Sequence, residues 1–296
     1  MDYEYTPIPF RPRLQWPDGK RLALIISYNL ETWDLVKDSD EPYYAGGPAR
    51  LPDPLPANVP DLPNYTWREY GQRVGIWRLF ELADKIGLKP SCTMNAVTCH
   101  RRKEMVKAAL DRGYEIVAHN YEQGELLTNF AHDRDKERDV ILRTLEVYEQ
   151  AVGRKAKGWL SSSLRGTLHT ADILAEEGLL FYCDLLNDDQ PYMINTDHGP
   201  IVSVPYSNEI NDFTLLTRGS YTTDEFRDIM IEELDVLYAE AADSGRIMNV
   251  GIHPHVGGRA YRVRALAEFV EHAKSLDGVW WATREEVANS YLQQQG

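Results

Sequence analysis

The chain has 296 residues, 43% of them apolar and 26% charged, and 46 acidic side chains against 32 basic ones give a formal charge of -14. That length buries a sizeable core, and so acidic a chain, whose longest basic step is Arg101-Arg102-Lys103, repels a phosphate backbone and an anionic lipid surface alike. Nucleic acid is excluded as a partner on these grounds, and no apolar run approaches the roughly 20 residues of a membrane span.

In chain order, the start Met1-Asp2-Tyr3-Glu4 lacks the basic flank and apolar stretch of a secretion signal, so a cytoplasmic protein is expected. Residues 22–28 read as the first strand. Residues 34–66 then hold seven of the 16 prolines in an acidic stretch with little periodicity, which predicts a long loop, either a lid or an arm. Beyond it, short apolar runs alternate with longer amphipathic ones. Strands are predicted at 91–95, 115–118, 158–160, 180–183, 201–204, 247–252 and 279–281, and helices at 67–86, 102–111, 134–151, 169–176, 223–241, 261–275 and 284–293. In helix 223–241 the residues Phe226, Ile229, Met230, Leu234, Leu237 and Tyr238 recur at 3- and 4-residue spacing, which marks a core stripe. Cys92, Cys99 and Cys183 are scattered without a C-x-x-C pair and read as reduced structural thiols.

Seven or eight mostly parallel strands with intervening helices, and no linker between them, predict one α/β domain over 1–296, a distorted (β/α) barrel. In such barrels chemistry sits at the C-terminal ends of the strands. Those ends carry Asn29 and Glu31, Asn95, His119, Ser161 to Ser163, Asp184, Tyr206, and His253 with His255. Glu31, His119 and His253 form a set that either holds one divalent metal ion such as Zn or works as general acid and base without a cofactor. No glycine-rich phosphate cradle follows any strand.

Several segments together resemble the polysaccharide-deacetylase (NodB-homology) superfamily, and within it the cofactor-independent allantoinase and bacterial imidase branch. They are Tyr70-Gly71-Gln72-Arg73-Val74-Gly75-Ile76-Trp77-Arg78, Ala118-His119-Asn120-Tyr121, Gly158-Trp159-Leu160, Asn187-Asp188-Asp189-Gln190-Pro191-Tyr192, Val204-Pro205-Tyr206-Ser207 with Asn211-Asp212, and Gly251-Ile252-His253-Pro254. The resemblance implies the barrel of NodB type and hydrolysis of a C-N bond in a small cyclic amide, imide or ureide. In the deacetylases it also implies an aspartate base, a metal-binding carboxylate two residues later and an H-x-x-x-H motif. Here those positions are Asn29, Glu31, His119 and Gln123. Asparagine is no base and glutamine a poor metal ligand, which argues against sugar deacetylation.

For a planar ring rich in N and O, Arg73, Asn187, Asp188, Glu209 and Asn211 offer complementary donors and acceptors, while Trp159 and Trp33 offer a stacking face or a plain wall. The competing reading of Arg73 and Asp188 is a structural ion pair between helix and loop. Two rival functions stand beside ring opening: a metal-dependent de-N-acetylase of an amino sugar, and a catalytically idle relative that binds a small ligand. The apolar surface of the barrel helices, with the resemblance, leads to the expectation of a homo-oligomer.

Overall fold

The computed structural model describes residues 2–35 and 59–295, so most of the proline-rich loop expected at 34–66 lies outside the described residues. A nine-stranded sheet curls into a half-barrel. Its strands are β1 Leu22–Leu30, β2 Ser91–Met94, β3 Glu115–Ala118, β4 Gly158–Trp159, β5 Phe181–Tyr182, β6 Tyr192–Ile194, β7 Ile201–Ser203, β8 Arg246–Ile252 and β9 Val279–Trp281. They lie in the order β6-β7-β5-β4-β3-β2-β1-β8, with β9 also paired to β1. Every pairing is parallel except β6 with β7. The predicted strands are all present. Only β6 is additional, a three-residue antiparallel strand that follows a polar loop and carries no alternation long enough to read.

Around the sheet lie α1 Leu62–Tyr70, α2 Ile76–Ile86, α3 Ala96–Arg101, α4 Lys103–Asp111, α5 Arg134–Val152, α6 Thr170–Glu176, α7 Thr223–Glu240, α8 Val263–Lys274 and α9 Arg284–Leu292. The single helix expected at 67–86 is in fact α1 and α2 joined by a π turn at Gly71–Gly75. It also starts earlier, where Asp61 caps the backbone N–H of Asn64. Capping boxes open α7 at Thr222 with Glu225 and α9 at Thr283 with Glu286. Among the described residues no helix is long and apolar enough to cross a membrane.

Period-2 alternation divides the strand residues between two cores. Leu22, Leu24, Ile26, Tyr28 and Leu30 of β1 face the helices, where Phe226, Met230 and Leu234 of α7 pack in the same cluster. Burying each such side chain stabilises by about 1.5 to 3 kcal/mol. Ala23 and Ile25 face the lumen together with Val117, Cys183, Val204 and Tyr206. All three thiols are buried and free. Because the lumen face of β1 continues through Ser27 to Asn29, the same alternation that fills the barrel also aims polar side chains at its C-terminal rim.

Candidate active site at the barrel rim

Glu31 follows β1, His119 follows β3 and His253 follows β8, and the curl of the sheet brings the three together. A carboxylate oxygen of Glu31, Oε1, lies 3.7 Å from Nε2 of His119 and 3.6 Å from Nε2 of His253. Glu31 and His119 are buried, at 8% and 3% exposure. Nδ1 of His119 is 2.6 Å from the carbonyl oxygen of Leu160, which can only accept, so Nδ1 carries the proton. The lone pair of Nε2 therefore faces the site, and that atom has no hydrogen-bond partner among the described residues.

His253 is held differently. Its Nδ1 donates to Oδ1 of Asp212 at 2.7 Å, and Oδ2 of Asp212 accepts the backbone N–H groups of His253 at 2.8 Å and Gly257 at 2.7 Å. Burial on its own lowers the imidazole pKa, but the charges of Glu31 and Asp212 and the Asp212 hydrogen bond outweigh it, and the net shift is upward. His255, whose ring stands edge-on to Trp67 and Trp33, goes the other way: burial, then the neighbouring His253, press its pKa well below the ordinary value.

The amide of Asn29 sits beneath these groups. Its Oδ1 accepts from Thr93 Oγ1 at 2.7 Å, and its Nδ2 donates to the hydroxyl of Tyr206 at 2.9 Å and lies 3.3 Å from Nε2 of His253. Asn95 ties neighbouring loops together, accepting from the backbone N–H of Thr32 at 2.9 Å and donating to the carbonyl of His119 and to Gln123 Oε1 at 3.3 Å. Asn120, just past His119, has φ 48°, a left-handed conformation that asparagine tolerates.

The segment Tyr70 to Arg78 supports the rim through residues other than the one singled out from sequence. Gln72 donates to the carbonyl of Glu31 at 2.7 Å and to Thr32 Oγ1 at 2.8 Å, and accepts from Arg102 at 2.7 Å. Arg73 is exposed. Gly75 is required by close approach, because a Cβ there would lie 1.9 Å from the carbonyl oxygen of Pro254, next to His253.

The other expected substrate contacts are dispersed. Trp159 is fully buried and donates to Ser161 Oγ at 3.0 Å, so it is core, not a stacking face. Asn187 is exposed and accepts from the Tyr192 hydroxyl at 2.7 Å. Asp188 is in a structural ion pair, though with Arg11 and not Arg73; both carboxylate oxygens receive guanidinium nitrogens at 2.6 Å. Asp188 and exposed Glu209 line a cavity of about 150 Å³ at the seam between β7 and β8, with Tyr206 and Asn249. Asn211 does reach the rim as support: its Nδ2 donates to Tyr206 at 3.0 Å and its Oδ1 accepts from the N–H of Phe213 at 2.9 Å. Asp212 is visible from sequence only as the end of an Asn-Asp pair, because no periodic pattern aims it at a histidine 41 residues later.

The trio does not fit a metal ion. With Nδ1 of His253 donating to Asp212, the lone pair on its Nε2 is directed at the amide nitrogen of Asn29, 3.3 Å away. Among the described residues no group of three or more His, Cys, Asp or Glu could hold a metal ion. The donors instead suit proton transfer: one acceptor pair, Glu31 with His119, opposite one donor, His253.

No family model matches the chain. A Schizosaccharomyces pombe protein described as "Putative polysaccharide deacetylase" is 28% identical over 248 residues, 75% of this chain and 74% of that one. Among solved structures, Puue allantoinase superposes with a TM-score of 0.86 at 26% identity, covering 99% of this chain and 98% of the other. A structure described as a probable polysaccharide deacetylase from Pseudomonas aeruginosa PAO1 superposes with a TM-score of 0.84 at 26% identity, covering 96% and 95%.

Proposed function

We propose that this chain, a member of the polysaccharide-deacetylase (NodB-homology) superfamily, is a hydrolase of carbon-nitrogen bonds that opens a small cyclic amide, imide or ureide. The reading rests on one observation above the rest: Oε1 of Glu31 lies 3.7 Å from Nε2 of His119, which has no hydrogen-bond partner among the described residues, and 3.6 Å from Nε2 of His253. In the reaction, Glu31 or His119 takes a proton from water as its oxygen bonds to the ring carbonyl carbon. The C-N bond then breaks, and the departing nitrogen takes the proton from Nε2 of His253, whose cation Asp212 stabilises. General acid and base groups of this kind contribute roughly 10²- to 10⁴-fold.

The likeness to Puue allantoinase supports a ring substrate. Sugar deacetylation is the less favoured reading because Asn29 commits its amide to Thr93 and Tyr206, while Gln123 Oε1 accepts from Asn95. The test is hydrolysis of allantoin, hydantoin, succinimide and an acetylated chito-oligomer by the purified protein. Ring opening without release of acetate supports the proposal; acetate release alone overturns it.

A further inference from the structure

A guanidinium is buried inside the barrel below the rim. Arg284, the first residue of α9, is completely inaccessible. Its Nη2 donates to Ser27 Oγ and its Nη1 to Ser91 Oγ, each at 2.6 Å. Ser27 and Ser91 are register partners on β1 and β2, and the next lumen-facing pair above them is Asn29 with Thr93, again register partners and joined by the Thr93-to-Asn29 hydrogen bond. The arginine therefore grips the two strands one layer beneath the amide that touches His253.

The same side chain reaches the rim by a second route. Its guanidinium carbon lies 5.7 Å from the centroid of the Tyr206 ring, and the Tyr206 hydroxyl accepts from Nδ2 of Asn29. Glu115 anchors the assembly from β3. One of its carboxylate oxygens accepts from Ser91 Oγ and from the backbone N–H of Arg284, and the other from the N–H of Glu285. A buried guanidinium carries a heavy desolvation penalty, and an apolar side chain of similar volume often replaces such a group without loss of stability. Filling the lumen thus does not call for an arginine. What the arginine adds is direction, since its planar fork holds two hydroxyls at fixed positions.

We infer that Arg284, delivered from the far end of the barrel by the C-terminal helix, is a positioning residue that sets the Asn29 amide against Nε2 of His253 through Ser27, Ser91 and Tyr206. Its importance for turnover rests on the acid role proposed for His253, but its placement of Asn29 does not, and the experiment reads that placement without substrate.

The probe is the Nε2 resonance of His253 in protein labelled with 15N-histidine, assigned by its loss in His253→Gln. Arg284→Met is expected to move this resonance in the otherwise wild-type chain and to leave it unmoved in an Asn29→Ala background, where the link is already cut. Arg284→Lys, which keeps the charge but cannot grip both serines, is expected to give an intermediate shift, and it carries the same comparison if Arg284→Met does not fold. An unmoved resonance in folded Arg284→Met, or an equal shift with and without Asn29, overturns the inference. Parallel turnover assays separate the two levels. A moved resonance with no ring opening in the wild type removes the hydrolase reading alone, whereas ring opening that survives Arg284→Met with unchanged kcat and an unmoved resonance removes the positioning role alone.

Discussion

Asn29 presents its amide nitrogen 3.3 Å from Nε2 of His253, at the position where the resemblance to polysaccharide deacetylases implies an aspartate base. A carboxylate at 29 could take a proton from water, whereas the amide, whose oxygen accepts from Thr93, offers no basic atom. In the proposed reaction, base duty falls to Glu31 and His119.

Removing either base group should stop the chemistry without unfolding the chain. Glu31→Gln and His119→Ala are each expected to lower kcat on a ring substrate by about 10²-fold or more, with circular dichroism unchanged. Near-wild-type turnover in either variant would remove that residue from the mechanism.

His253 gives the pH dependence its sign. Its pKa is raised by Glu31 and Asp212 over the opposing effect of burial, so the proton-donating form persists above the ordinary imidazole value of about 6.5, and kcat/KM is expected to fall as pH rises through the raised value. Asp212→Asn should move that falling limb to lower pH. Stability follows the same direction: the His253 contribution is fully present below the unfolded-state value and is lost as pH rises through the folded one. The gap in Tm between wild type and Asp212→Asn should therefore narrow above that pH, and a gap that widens with pH would contradict the assignment.

Asp188 distinguishes structural from substrate-binding roles. Its paired contacts with Arg11 are only partly exposed, at 22% and 9% for the two side chains, so Asp188→Ala should destabilise the fold by about 1 to 3 kcal/mol. Urea denaturation reads this change, and KM on a ring substrate should stay as it was. A raised KM at unchanged stability would return Asp188 to the substrate.

Gly75 should prove intolerant of even one methyl group, since the added Cβ would overlap a backbone oxygen that cannot swing away. Gly75→Ala is expected to displace the His253 loop and lower kcat/KM by about 10²-fold, as small misplacements of reacting groups do. Unaltered kinetics would show that the turn yields instead of the loop.

The rim was legible because strand alternation is a strong signal and the polar ends of β1, β3 and β8 interrupt apolar runs. Glu31, His119 and His253 could be named for that reason. Partners from irregular or distant segments could not. The course of the N-terminal arm that brings Arg11 to Asp188 has no periodic signature, and Asp212 opens a π turn that no spacing rule marks. Arg284 reads as an ordinary first-turn residue after the capping Thr283, and only the curl of the sheet reveals that this end of α9 faces the lumen. In the motif around Arg73, sequence identified the right segment, as a continuous helix, and the wrong side chain, because the π turn aims Gln72 inward and leaves Arg73 in solvent.

The most direct test of the account is ring opening by the wild-type protein, purified without chelators and assayed for metal content, before and after exhaustive chelation. Undiminished opening of a cyclic amide, imide or ureide at substoichiometric metal is the result the account predicts. Stoichiometric metal with turnover lost on chelation and restored by zinc would contradict it, and would make Glu31, His119 and His253 ligands in place of acid and base.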